Sequence, residues 1–161
     1  MSSAGSLSVM LLAAVTGAMG APGAGAQPLP PGEAAKLIVG AWRYISTTVD
    51  GKPRDRGAKP TGMIYYGPHG EMSVHIAPDR PRPKAGPEPT GEEAKAAIAD
   101  YVSYFGTYTI DERAGTVTHH RKSSIQPGDT GDFVRRYTFA GDRLILRPLN
   151  VNQEITWERI K

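Results

Sequence analysis

From residue 41 to residue 160, apolar and polar side chains alternate in eight short runs. The runs lie at about 41–49, 61–66, 71–77, 104–111, 116–124, 132–139, 143–147 and 151–160. Alternation with period two marks a strand with one buried face. Turn residues separate the runs: Asp50-Gly51, Gly67-Pro68-His69-Gly70, Ala114-Gly115 and Ala140-Gly141-Asp142. This spacing predicts an all-β domain of eight antiparallel strands. Gly40-Ala41-Trp42 opens the first run, and Thr156-Trp157-Glu158-Arg159 lies in the last. If those two strands meet, the sheet closes into a barrel and loses its edges.

One stretch breaks the pattern. Residues 78–89 hold five prolines and no periodicity. Thr90 with Glu93 three residues on is a capping box. Ala94, Ala97, Ile98 and Tyr101 then recur at helical spacing, which predicts one amphipathic helix over 91–103, inserted between the third and fourth strands. Long insertions in small domains serve as lids or binding loops. The helix is therefore expected at one opening, with Ile98, Tyr101 and Tyr104 toward the cavity or its rim. Residues 34–39 suit a short helical turn leading into the first strand.

Charge divides the chain further. All 19 Lys and Arg and all 16 Asp and Glu lie beyond residue 32. Before them, residues 7–15 are almost wholly apolar, and Ala24-Gly25-Ala26 has the small-x-small form of a signal-peptidase site. The expected organisation is a signal peptide over 1–26, a Pro-rich linker over 27–37 and the barrel over 38–161, with the mature protein periplasmic or secreted. The apolar run is too short for a membrane span, which needs roughly 20 residues. The net charge of +3 is mild and the signs are interspersed. Basic clusters at 52–59 and 80–84 sit in Pro/Gly-rich loops, so no nucleic-acid partner is expected. With no Cys, disulfides, thiolate metal sites and Cys nucleophiles are excluded. Nothing in the chain sets an oligomeric state.

Several segments carry a resemblance. Gly40-Ala41-Trp42-Arg43, Gly62-Met63-Ile64-Tyr65-Tyr66, Gly70-Glu71-Met72-Ser73-Val74, Tyr104-Phe105-Gly106-Thr107-Tyr108, Thr118-His119-His120, Gly141-Asp142-Arg143-Leu144 and Trp157-Glu158-Arg159 fall in the order seen in a family of lipocalin-like domain proteins. Residues 38–160 resemble that family. The resemblance implies a small lipocalin-like (calycin-type) β-barrel. Lipocalins proper bind small apolar molecules. It also implies that Trp42 is covered by a basic side chain from near the last strand, with Arg159 the candidate. The inserted helix departs from the usual lipocalin plan.

The remaining chemistry is sparse. His119 and His120 are adjacent, so a regular strand points them to opposite faces, and they cannot both hold one metal ion. No Gly-x-Ser-x-Gly and no Gly-rich phosphate loop occurs. Neither a catalytic residue, a metal nor a cofactor is assigned. Seven Tyr, mostly in strands, offer apolar bodies with polar tips. On the third strand Met72, Val74 and Ile76 share one face, and Ser73 and His75 the other. On the sixth, Phe133, Arg135, Tyr137 and Phe139 oppose Val134, Arg136 and Thr138. One of Arg135 and Arg136 must face inward and needs a partner there, such as a ligand carboxylate or enolate. The candidate ligand contacts are Tyr66, His75, Tyr104, Tyr108, His120 and Arg136. Trp42, Trp157 and Arg159 are the candidates for closing the barrel.

Three functions compete: a binding protein for a small apolar or aromatic molecule, a cofactor-free isomerase, cyclase or hydratase using His and Tyr, and a structural barrel with a filled interior. A cavity on which His, Tyr and Arg converge would favour the enzyme. An apolar cavity would favour the binder, and no cavity the structural barrel. The leader itself makes a separate prediction. Mass spectrometry of protein from its native host should find a chain beginning within a few residues of Gln27. Intact Met1 in the bulk of the protein would reject export.

Overall fold

The computed structural model describes residues 29–161. The expected signal peptide and the first residues of the linker lie outside that range. A short helix α1 (Glu33–Ile38) leads into β1 (Gly40–Val49). There follow β2 (Lys52–Pro53), β3 (Thr61–Tyr66), β4 (Glu71–Ala77), helix α2 (Gly91–Ile98), β5 (Val102–Asp111), β6 (Thr116–Ser124), β7 (Gly131–Ala140), β8 (Arg143–Pro148) and β9 (Gln153–Arg159). Each strand pairs antiparallel with its neighbour, and β1 pairs with β9. The result is a closed eight-stranded antiparallel barrel, as the alternation predicts. The element absent from the sequence reading is β2. It is two residues long and covers Thr48 and Val49, the stretch of β1 that β3 does not reach.

Period two decides which side chains enter the barrel. Trp42 and Tyr44 of β1 face inward, and an irregularity between Tyr44 and Ser46 re-phases the strand so that Thr47 is buried. On β4, Met72, Val74 and Ile76 are buried while His75 is exposed. On β6, Val117 and His119 are buried. The same strand is brought close to β5 at Gly106. A Cβ there would stand 2.0 Å from the His120 carbonyl oxygen, so only glycine allows this approach.

One end of the barrel is filled. Strand β1 begins there, and Ile38 of α1 is fully buried beneath it. The Trp42 indole Nε1 donates to the Ile38 carbonyl at 2.9 Å. Phe139 packs 6.1 Å from the Trp42 ring, centroid to centroid. The Arg159 guanidinium lies 4.0 Å over the indole, and its N–H groups donate to the Val39 and Leu37 carbonyls. The Trp42–Arg159 closure is thus present, and it also fastens α1 to the last strand. Trp157 also sits on the closing β1–β9 seam. It belongs to a layer further inside, edge-on to Tyr44 at 5.6 Å, because it pairs with Tyr44 across the β1–β9 seam.

The other end carries the loops. The 52–60 loop and the 78–101 segment are laced together there by Asp100. Its carboxylate meets Arg54 at 3.4 Å and Arg80 at 3.5 Å, and its backbone carbonyl accepts from Arg56. Helix α2 has the anticipated capping box of Thr90 and Glu93. It is shorter than the 91–103 reading, because Asp100 takes a left-handed backbone conformation (φ 55°) just after it. No residue of α2 is buried, and Ile98 remains exposed. Strand β5 therefore begins at Val102, two residues before the expected run, and Tyr104 lies within it.

Trp42 should behave as a core plug. Trp42→Ala is expected to lower stability by about 3–5 kcal/mol through cavity formation, read as a lower urea midpoint. Arg159→Ala should cost less, because a cation over an aromatic ring contributes about 0.5–2 kcal/mol.

Candidate functional site

Above the plugged end, the interior is crossed by a polar cluster centred on His119. Valine 117 and His119 share a face of β6, so burying Val117 carries the imidazole inside. Likewise Phe133, Tyr137 and Phe139 draw Arg135 inward on β7. His119 is fully buried and Arg135 is 5% exposed. The Tyr66 hydroxyl lies 2.6 Å from His119 Nε2. Around Nδ1 stand Tyr104 Oη at 2.9 Å and an Arg135 Nη1 at 2.9 Å. A guanidinium can only donate. Nδ1 is therefore the acceptor, and the ring proton sits on Nε2 and donates to Tyr66.

The electrostatics follow from burial. Desolvation holds the His119 pKa well below its ordinary 6.5, with the neighbouring Arg135 and Arg121 charges adding to the effect. The ring is neutral. Desolvation raises the Tyr66 and Tyr104 pKa values, so both hydroxyls keep their protons. Arg135 also donates to the Phe133 carbonyl at 3.2 Å and to Tyr104 Oη at 3.2 Å. All of these partners are neutral. Its guanidinium is further fixed over the Phe133 ring at 4.1 Å, where Arg121 stacks at 4.9 Å.

Between this cluster and the loop-bearing end is a cavity of about 230 Å³. Ile64, Val74, Ile76, Leu146 and Ile155 form apolar wall, with Trp157 among them. Tyr104 and Arg135 belong to its lining, and Arg121 and Arg56 stand nearer the loops. Arg54, Gln126 and Asp129 line it too and are exposed, so the cavity reaches solvent at that end. A larger hollow of about 380 Å³ lies at the α1 end, between residues 29–34, the turn after β5 and residues 137–139 of β7. Among the described residues, no buried side-chain polar atom that lacks a hydrogen-bond partner borders that second hollow.

A family model described as a lipocalin-like domain matches residues 39–160. The chain belongs to the lipocalin-like domain family. No curated protein matches it significantly.

Within this lipocalin-like barrel, the sequence-predicted contacts divide sharply. Tyr66 and Tyr104 are inside and join the cluster. Tyr108 is also inside, edge-on to Tyr66 at 4.8 Å, but its hydroxyl is spent on the Gly67 carbonyl at 2.8 Å, toward the plugged end. Three others are on the outer face. His75 is exposed, with Ser103 Oγ 3.1 Å from its Nδ1, because its strand turns Val74 and Ile76 inward. His120 lies outside between Thr109 and Asp132, the latter at 2.6 Å. Arg136 is exposed because its neighbour Arg135 shares the aromatic face. The buried partners are therefore His119 and Arg135, the other members of the two pairs. Trp157, on the β1–β9 seam, also lines the cavity.

From the insertion, Tyr101 reaches the cavity while Ile98 does not. Arg56 and Arg121 were not anticipated. Arg121 follows from the alternation that buries Val117 and His119, whereas Arg56 comes from a loop with no periodic signal. Among the described residues, no three His, Asp or Glu side chains gather as a metal site.

The neutral His119 makes stability depend on pH. An unfolded chain whose histidine titrates near 6.5 binds more protons than the folded protein below that pH. The His119 contribution is complete above about pH 6.5 and is lost as pH falls below it, with a slope of up to about 1.4 kcal/mol per pH unit. Urea midpoints measured from pH 7 to pH 5 should fall in the wild type. His119→Gln should remove most of that slope. An unchanged slope in the variant would mean that another group controls the acid limb.

Proposed function

We propose that this protein is an exported lipocalin-like binding protein that holds one small, partly apolar molecule in the cavity at the loop-bearing end of its barrel. The observation that carries this reading is the asymmetry of the interior. Trp42, Phe139 and Ile38 fill one end, while about 230 Å³ stays hollow at the other. Interiors normally pack to crystal-like density, so a hollow of this size lined by Ile, Val, Leu and Trp is suited to a guest. A cavity of about 150 Å³ already holds benzene, so one ring with a short substituent fits. Export rests on the apolar run at 7–15 and the Ala24-Gly25-Ala26 site.

The cofactor-free isomerase, cyclase or hydratase reading keeps one observation in its favour. Tyr104 Oη touches both the His119 imidazole and the Arg135 guanidinium, and Tyr104 lines the cavity. This is the convergence of His, Tyr and Arg that favours catalysis. Against it, His119 is fully buried and is not part of the cavity lining, and its nitrogens are engaged by Tyr66, Tyr104 and Arg135. Acid–base work would have to pass through Tyr104, a phenol held protonated by burial.

Protein purified without denaturation from its native host should release one small molecule per chain on denaturation, detected by mass spectrometry. Val74→Phe, which thickens the apolar wall at a stability cost of about 1–3 kcal/mol, should abolish that release while the barrel's circular dichroism persists. Release of the same molecule from Val74→Phe at full stoichiometry would place binding elsewhere. Recovery of a chemically altered molecule after incubation would favour the enzyme.

A further inference from the structure

Among the described residues, four buried side-chain nitrogen or oxygen atoms lack any hydrogen-bond partner: Arg56 Nε, Arg121 Nε, Arg135 Nε and Trp157 Nε1. All four are donors. All four belong to residues that line the one cavity of about 230 Å³. Buried donors without acceptors are costly, and native proteins leave few of them. The four side chains that carry them surround one space that is rich in donors and poor in acceptors.

The charges around this space have the same sense. The lining carries Arg54, Arg56, Arg121 and Arg135 against the single carboxylate of Asp129. Asp129 is already taken by Arg121 Nη1 at 2.7 Å. The Asp100 carboxylate is shared by Arg54 and Arg80, and the hydrogen bond from Arg56 to this residue goes to its backbone carbonyl. Arg135 has no carboxylate partner at all, only His119, Tyr104 and the Phe133 carbonyl. A buried cation left with neutral partners is a standing energetic cost. Arg121 and Arg135 are meanwhile held in place on the Phe133 ring. Aliphatic side chains make up much of the remaining wall.

We propose that the ligand of this barrel is a small organic anion. Its carboxylate, or an enolate or phenolate oxygen, is received by Arg135, Arg121 and Arg56 together with the Trp157 indole N–H, and its apolar body lies on Ile64, Val74, Leu146 and Ile155. This rests on the binding reading and narrows it to a ligand class. Inorganic anions fit poorly, since they would leave the aliphatic wall uncovered.

A matched pair of probes separates the two claims. 3-Phenylpropanoate and 3-phenylpropan-1-ol share a ring and a three-carbon arm and differ in charge. Binding to ligand-stripped full-length mature protein at pH 7 is followed by calorimetry and by tryptophan fluorescence, since Trp157 lines the cavity. The carboxylate should bind at least about tenfold more tightly than the alcohol, the margin expected of charge-assisted hydrogen bonds. Arg121→Gln should shrink the preference to about twofold or less and leave alcohol binding in place. Arg56→Gln serves as the second variant, because Arg135 is tied to His119 and its replacement endangers folding. Equal binding of alcohol and carboxylate overturns the anion and keeps the binding reading. Binding of neither overturns both.

Discussion

The buried Arg135 guanidinium is the constraint on which the rest of the interior depends. It is drawn into the barrel by the aromatic face of its own strand, and no carboxylate meets it there. A neutral His119 receives one of its N–H groups, and the low pKa of that imidazole is partly the work of the same arginine. The two are mutually enforcing. A protonated imidazole would place two cations in contact, so the arginine keeps the ring neutral, and the ring's free lone pair fixes the arginine. Tyr66 and Tyr104 complete the arrangement because they can bond to a neutral ring without bringing charge.

This cluster divides the barrel into two halves with different roles. On the α1 side, Trp42, Phe139, Ile38 and Arg159 form a plug that needs nothing else. On the loop side, the polar cluster ends in unpartnered donors and the wall turns aliphatic. Loop lacing through Asp100 matters here, because its backbone carbonyl holds Arg56 at the cavity while its carboxylate pairs with Arg54 and Arg80. The inserted helix contributes less than its amphipathic pattern suggested. Its residues stay unburied, and Tyr101 beyond it is what reaches the opening.

Much of the fold was legible in the chain because alternation and turn residues are local signals. The eight runs and the capping box at Thr90 follow from neighbours in sequence and the period of a strand, whereas the Trp42–Arg159 contact is legible only through the resemblance to lipocalin-like proteins. The site was legible only in part. For His119/His120 and Arg135/Arg136 alternation says that one of each pair enters, and only the company of each face decides which. Val117 beside His119 and the Phe133, Tyr137, Phe139 row beside Arg135 held that information. His75, His120 and Arg136, named as candidates with the inward faces undecided, are all outside. Arg56 had no such signal, since its burial depends on the meeting of two loops separated by more than forty residues.

The proposed ligand gives this cavity the negative charge that its arginines lack. The most direct measurement is a crystal structure of the protein purified from its native host with no ligand removed. Density for one small molecule is expected in the cavity, with an anionic oxygen within hydrogen-bond distance of the Arg121 and Arg135 guanidinium groups and its apolar portion against Val74 and Leu146. A neutral molecule seated there with no oxygen near either guanidinium would contradict it, as would arginine side chains turned out to solvent around a collapsed cavity.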